Sequence, residues 1–149
     1  MTNDIRQLVK EVLDQGYLMS LATTDNGGVW VCDVIYIHDD DLNIYWMSDK
    51  NARHSQAIKK DNKVAGSITY STKSKVPNFG IQFEGAAEQL EGIQFMLLIK
   101  HLAKRSYPAP DISQATKLMD GDVWYKLTPK KIGLIDEENF GYDRQNIEI

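Results

Sequence analysis

Residues 17–37 constrain the fold more tightly than any other stretch of the chain. Two runs rich in strand-forming side chains, 17–24 and 29–37, flank Asp25-Asn26-Gly27-Gly28, a strong hairpin turn sequence. The second run is apolar on both faces. It offers Val29, Val31, Ile35 and Ile37 on one side and Trp30, Cys32, Val34 and Tyr36 on the other. A solvent-facing antiparallel strand should alternate with polar residues. Burial of both faces therefore calls for a covering helix, a bound ligand or a second subunit. The pattern favours a homodimer with a ligand in its seam, because two-fold dimers are the commonest oligomer.

The rest of the chain extends this sheet. Ile5, Leu8, Val9, Val12 and Leu13 recur at helical spacing, with Asn3 placed to cap the start and Gly16 placed as a left-handed stop. Strands follow over 42–47, 63–71 and 79–90, with loop chemistry over 72–78. A helix over about 51–60 interrupts, and a second, very apolar helical block covers 92–105 before Tyr107-Pro108-Ala109-Pro110 ends it. A short helix over 112–119 precedes two closing strands, 122–127 and 131–135. Six or seven antiparallel strands with flanking helices predict a mostly β (α+β) closed barrel, as one domain over 1–149.

Composition removes several function classes. A formal net charge of −4 leaves no basic footprint for nucleic acid. Cys32 is the one cysteine, so no internal disulfide or cysteine metal array is available. No HExxH spacing, nucleophile elbow, dinucleotide GxGxxG or GxxxxGK[ST] loop occurs. Any reactivity must then come from a bound cofactor. The first residues lack the basic and apolar regions of a signal peptide, and the longest apolar run, 95–99, is too short for a bilayer. A cytoplasmic protein is the expectation.

Candidate ligand residues cluster where the strand over 42–47 meets the next helix. Tyr45-Trp46-Met47-Ser48-Asp49-Lys50-Asn51-Ala52-Arg53-His54 brings cations to a helix start, where the macrodipole alone disfavours them. An anion there reverses the balance, because backbone N–H groups, dipole and cations then act on it together. The alternative is a solvated helix start capped by Asp49 or Asn51. Met47 and Ser48 end the strand beside this phosphate seat. Asp33, amid an apolar strand, is expected to be buried and hydrogen-bonded, either as structure or against a polar ligand. Trp30, Trp46 and Trp124 supply flat aromatic surface, as core or as stacking platform.

On these residues the chain resembles the pyridoxamine 5′-phosphate oxidase-like family of FMN-binding split β-barrels. The resemblance runs from Leu18-Met19-Ser20-Leu21-Ala22-Thr23 to Val123-Trp124-Tyr125-Lys126-Leu127-Thr128-Pro129. It implies that Val31-Cys32-Asp33-Val34 meets the flavin and that Met47 and Ser48 contact its ribityl–phosphate arm. The family's Ser-Arg-Lys phosphate triplet falls on Ala52, Arg53 and His54, with Lys50 as an auxiliary cation. The Gly-x-Ala-Glu-x-Leu pattern falls on Gly85, Ala87, Glu88 and Leu90. Gln82 matches a glutamine that faces the flavin from the partner subunit, and Trp124 or Phe140 is placed to close the flavin edge from the other chain. Ala52 and His54 replace a hydroxyl and a lysine, which implies weaker phosphate binding that falls as pH rises through neutrality. The C-terminal Arg-Leu-His-Asp-Arg signature is absent, with only Gly141-Tyr142-Asp143-Arg144 in its place. Oxidation of vitamin B6 phosphates is therefore not implied, and the chain is most similar to short members without an assigned reaction. The resulting expectation is an FMN-dependent oxidoreductase that uses a small-molecule substrate or electron donor. Two alternatives stand beside it: a flavin carrier, sensor or reservoir without turnover, and a barrel that binds haem or a deazaflavin.

Overall fold

A computed structural model describes residues 4–71 and 73–149. The proposed Asn3 cap and Thr72 of the 72–78 loop lie outside them. The first helix, α1 (Ile5–Gln15), is capped instead by Asp4, whose carboxylate accepts the Arg6 and Gln7 N–H groups. Its Leu8, Val9, Val12 and Leu13 enter the main core. Gly16 is extended, at φ −73° and ψ 157°, rather than left-handed. A side chain there would strike Ile68 and the Tyr36 hydroxyl, each 2.5 Å from a Cβ, so close approach and not backbone freedom explains the glycine.

Seven antiparallel strands follow: β1 (Leu18–Asp25), β2 (Gly28–His38), β3 (Ile44–Ser48), β4 (Lys63–Thr69), β5 (Phe79–Gln89), β6 (Val123–Asp136) and β7 (Gln145–Glu148). Their order is β3-β2-β1-β4-β5-β6-β7, and a further β3–β6 pairing closes the first six into a barrel. The β1–β2 hairpin forms as the turn sequence predicts, with Gly28 at φ +109°, a conformation an L side chain rarely adopts. Inward side chains of every barrel strand make one core, including Met19, Leu21, Tyr36, Trp46, Ile81 and Leu134. The Tyr36 hydroxyl donates to the Leu13 carbonyl at 2.8 Å and ties α1 to that core.

One edge of β6 is divided. Residues 123–127 pair with β3, whereas 131–134 pair with β7. The two closing strands expected over 122–127 and 131–135 are therefore a single strand. Pro129 does not break it because the register shifts opposite Glu84 and Gly85, where the ladder loses its regular pairing. The β2 edge is similarly uneven, since only Tyr36, Ile37 and His38 pair with β3.

The remaining helices pack outside. Helix α2 (Arg53–Lys60) lies mainly on β1, burying Ser55, Ala57 and Ile58. Helix α3 (Phe95–Lys104) and the short α4 (Ala115–Met119) cover a second core of Ile37, Leu98, Leu102, Ala115, Met119 and Trp124. A final turn, α5 (Glu137–Phe140), is capped by Asp136. Neither α5 nor β7 was legible as a periodic pattern.

Candidate functional site

The link from β3 to α2 is built from short-range hydrogen bonds. The Asp49 carboxylate accepts the Asn51 N–H at 2.9 Å, while its carbonyl accepts the Ala52 N–H and the Ser55 hydroxyl. Neither Asp49 nor Asn51 caps the helix. The N-cap is Ala52, whose methyl group cannot accept a hydrogen bond, and no acidic residue lies in the first turn. The opening N–H groups of α2 thus have no side-chain cap, a disposition suited to an anion.

Arg53 stands at this opening, and the β1–β2 hairpin holds it. Its Nε and Nη2 donate to the two Asp25 oxygens at 2.9 and 3.1 Å, and its guanidinium lies 4.4 Å from the Trp30 ring centroid. The Arg53 bond holds the Asp25 carboxyl below its usual range against the opposing effect of burial, and the Gly27 N–H adds to it. The pairing spans 28 positions, and no local pattern announces it. Asp25 is therefore the site residue that sequence reading missed, while Trp30, expected only as aromatic surface, meets Arg53 here. A guanidinium has five N–H groups, so Arg53 keeps donors beyond the two that Asp25 uses. Beside it lies an open recess of about 440 Å³ lined by Asp25, Gly27, Gln56 and Lys60.

His54 points the other way. Its Nε2 is 2.9 Å from the buried Ser48 hydroxyl at the end of β3. Burial pushes the imidazole below its ordinary value of 6.5, which favours its neutral form. It serves as a hydrogen-bonding group rather than the cation the sequence suggested. Lys50 is exposed one turn earlier, and its carbonyl accepts from Gln56. Ser48, Arg53 and His54 thus sit at one uncapped helix start, with Arg53 turned to the hairpin and His54 to Ser48.

The other expected residues are spread more widely. Met47 faces outward and packs against the second core, so only its backbone borders the seat. Trp124 has no exposed surface and stacks edge-on against His101 beneath α3. That placement overturns its expected role at a flavin edge, since a side chain enclosed by helices offers no face to another chain. Phe140 is half-buried against the main core. Cys32 is half-buried too, and burial first, then the Asp33 charge, pushes its thiol up. Asp33 is not buried as expected. It is exposed on the outer face of β2 and accepts the Ser20 hydroxyl at 2.7 Å.

Strand register explains the spread. Asp33 pairs with Ser20, Ser20 with Ser67, Ser67 with Gln82, and Gln82 with Gly133. This row crosses the outer face of the barrel, so three strand spacings separate Asp33 from Gln82, roughly 14 Å. Gln82 is exposed and accepts from Arg144 at 3.2 Å. On the same face Val29 and Val31 are 74% and 59% exposed, and Leu18 is exposed beside them. The double-sided apolar stretch of β2 is thus covered only over its last few residues, by α3.

No family model matches the sequence. Among curated proteins, a UPF0306 protein of Pasteurella multocida is 27% identical over 127 residues, 85% of each chain. A UPF0306 protein of Photorhabdus laumondii is 28% identical over 87 residues, covering 58% of this chain and 61% of that protein. Among solved structures, the conserved hypothetical protein Rv2991 of Mycobacterium tuberculosis matches with a TM-score of 0.79 at 14% identity, over 100% of this chain and 94% of its own. A provisional pyridoxamine 5′-phosphate oxidase of Listeria innocua gives 0.69 at 16% identity, over 89% and 98%. HutZ, a haem storage protein of Vibrio cholerae, gives 0.63 at 17% identity, over 91% and 95%. These likenesses show a shared split β-barrel fold. Among the described residues no helix is long and apolar enough to cross a membrane, and no group of His, Cys, Asp and Glu is arranged to hold a metal ion.

Proposed function

We propose that this chain binds FMN as a homodimer in the cytoplasm and serves as a flavin-dependent oxidoreductase. One observation carries the reading: Ser48 and Arg53 flank a helix start that no side chain caps. The backbone N–H groups of α2 and the free donors of Arg53 would hold the phosphate, with the Ser48 hydroxyl and His54 beside it. Val31, Cys32 and Asp33 would border the ring from β2. Gln82 would come from the second copy, because one chain keeps it roughly 14 Å from Asp33. The exposed valines of β2 give that second copy an apolar surface to cover. Bound flavin would supply hydride or electron transfer to a small-molecule partner, and the chain's own residues would bind and orient it.

Titration of the purified protein with FMN tests the reading. Saturable quenching of flavin fluorescence supports it, and unchanged fluorescence at every protein concentration removes it. A carrier or sensor without turnover differs only in resisting bleaching by reduced nicotinamide. A haem reading rests on HutZ and on His54, whose neutral form burial favours and whose ring nitrogen could then ligate iron. A haem spectrum after reconstitution, with no FMN response, would favour it.

A further inference from the structure

The last turn of α3 carries a lysine that no part of the proposed flavin site uses. Lys104 is half-buried, and its Nζ donates to the Tyr36 carbonyl at 2.6 Å. The same nitrogen lies 3.5 Å from the Tyr36 ring centroid. Around it opens a recess of about 420 Å³ between the end of α1, the end of β2 and α3. Leu13 and Ile37 form its apolar wall, and Asp14 and His38 its polar one. His38 Nε2 sits 2.7 Å from the Asp14 carboxylate, and its Nδ1 3.2 Å from the Asp39 carbonyl. The recess lies on the α3 side of the barrel, away from the start of α2.

We propose that Lys104 is a nucleophilic amine, at which a small neutral aldehyde condenses in this recess to form an imine. Buried lysines are the ones that lose their proton near neutrality and attack carbonyl carbon. Here burial pushes the ammonium down to about 8, with the Asp14 charge opposing. On its own helix Lys100, His101 and Arg105 are the neighbouring titratable or cationic groups. Across the recess the facing groups are Asp14, His38, Asp39 and Asp40. Three carboxylates against Lys100 and Lys104 disfavour an anionic electrophile, which is why the aldehyde is neutral.

The step balances without any redox partner. The amine lone pair forms the C–N bond as the carbonyl π pair moves to oxygen. One N–H proton passes to that oxygen and gives a carbinolamine. Loss of its hydroxyl with a second proton, as water, leaves the C=N bond. Solvent in the open recess, which the His38–Asp14 pair also lines, can carry those protons.

The experiment is competitive reductive alkylation of the full-length protein at about pH 7.5, with limiting propionaldehyde and cyanoborohydride, read by peptide mass spectrometry. Lys104 is expected to alkylate about tenfold faster than the exposed Lys59, Lys63 and Lys117, because far more of it is the free amine. That preference should vanish in denatured protein, and Lys104→Arg should remove the fast site. Asp14→Asn, which leaves Lys104 in place and removes the charge that favours its ammonium, should speed it. Alkylation of Lys104 at or below the rate of the exposed lysines would reduce it to a strut that fastens α3 to β2. A preference that survives denaturation would equally overturn the proposal.

Discussion

Replacing Arg53 by alanine tests the phosphate seat, and the structure sets both the size and the selectivity of the effect. A hydrogen bond between charged partners usually changes Kd by roughly ten- to a hundredfold. Arg53 already spends two N–H groups on Asp25, and part of its charge is offset there. The expected weakening for FMN is therefore at the lower end, about tenfold. Riboflavin lacks the phosphate, so its affinity should not move. Asp25→Asn should act in the opposite direction and tighten FMN by about threefold, since it withdraws a carboxylate from beside the incoming anion. The assay is fluorescence titration of wild type and both variants with FMN and with riboflavin, repeated at two salt concentrations. Equal weakening of both flavins by Arg53→Ala would mean that the hairpin had moved rather than that a phosphate contact was lost. Unchanged FMN affinity would take Arg53 out of the site.

Trp124 and His101 are tested by their burial, and Val31 by its exposure. Trp124→Ala should destabilise the fold by about 3–5 kcal/mol, the usual cost of emptying a fully buried aromatic site, as read by urea denaturation. A loss below 1 kcal/mol, on the same scale, would mean that α3 does not pack as described. His101 is 5% exposed, its Nδ1 has no partner, and burial first, then Arg105 and Lys104, hold it below 6.5. A depressed folded value means stability that is present above the unfolded value and lost as pH falls below 6.5. The acid limb of thermal stability should therefore flatten in His101→Leu, and an unaltered limb would assign acid sensitivity elsewhere. Val31→Glu, on the exposed face of β2, should yield a folded monomer by sedimentation. A variant that still sediments as wild type would remove this face from the interface.

What the sequence made legible follows how local each feature is. The hairpin, α1 and α2 are specified within about ten residues each and form close to where periodicity put them, although Asp49 and Asn51 do not cap α2 and Gly16 is extended. Ser48, Arg53 and His54 were legible as a group for the same reason. Asp25 was not, because its bond to Arg53 depends on where β1 lies relative to α2. Asp33 was expected inside because its strand is apolar on both faces. That pattern cannot say which end of the strand a helix covers, and α3 covers the other end. Trp124 was misplaced through the same ambiguity, since an aromatic side chain reads alike as core or platform. Pro129 suggested a break between two strands, yet a register shift lets one strand of 14 residues pass through it.

The most direct test of the central claim is the visible spectrum of the protein after incubation with excess FMN and removal of unbound ligand. The account predicts a yellow protein that retains close to one flavin per chain, with bands shifted from those of free FMN. A colourless protein, or one that takes up haem in place of flavin, would contradict it.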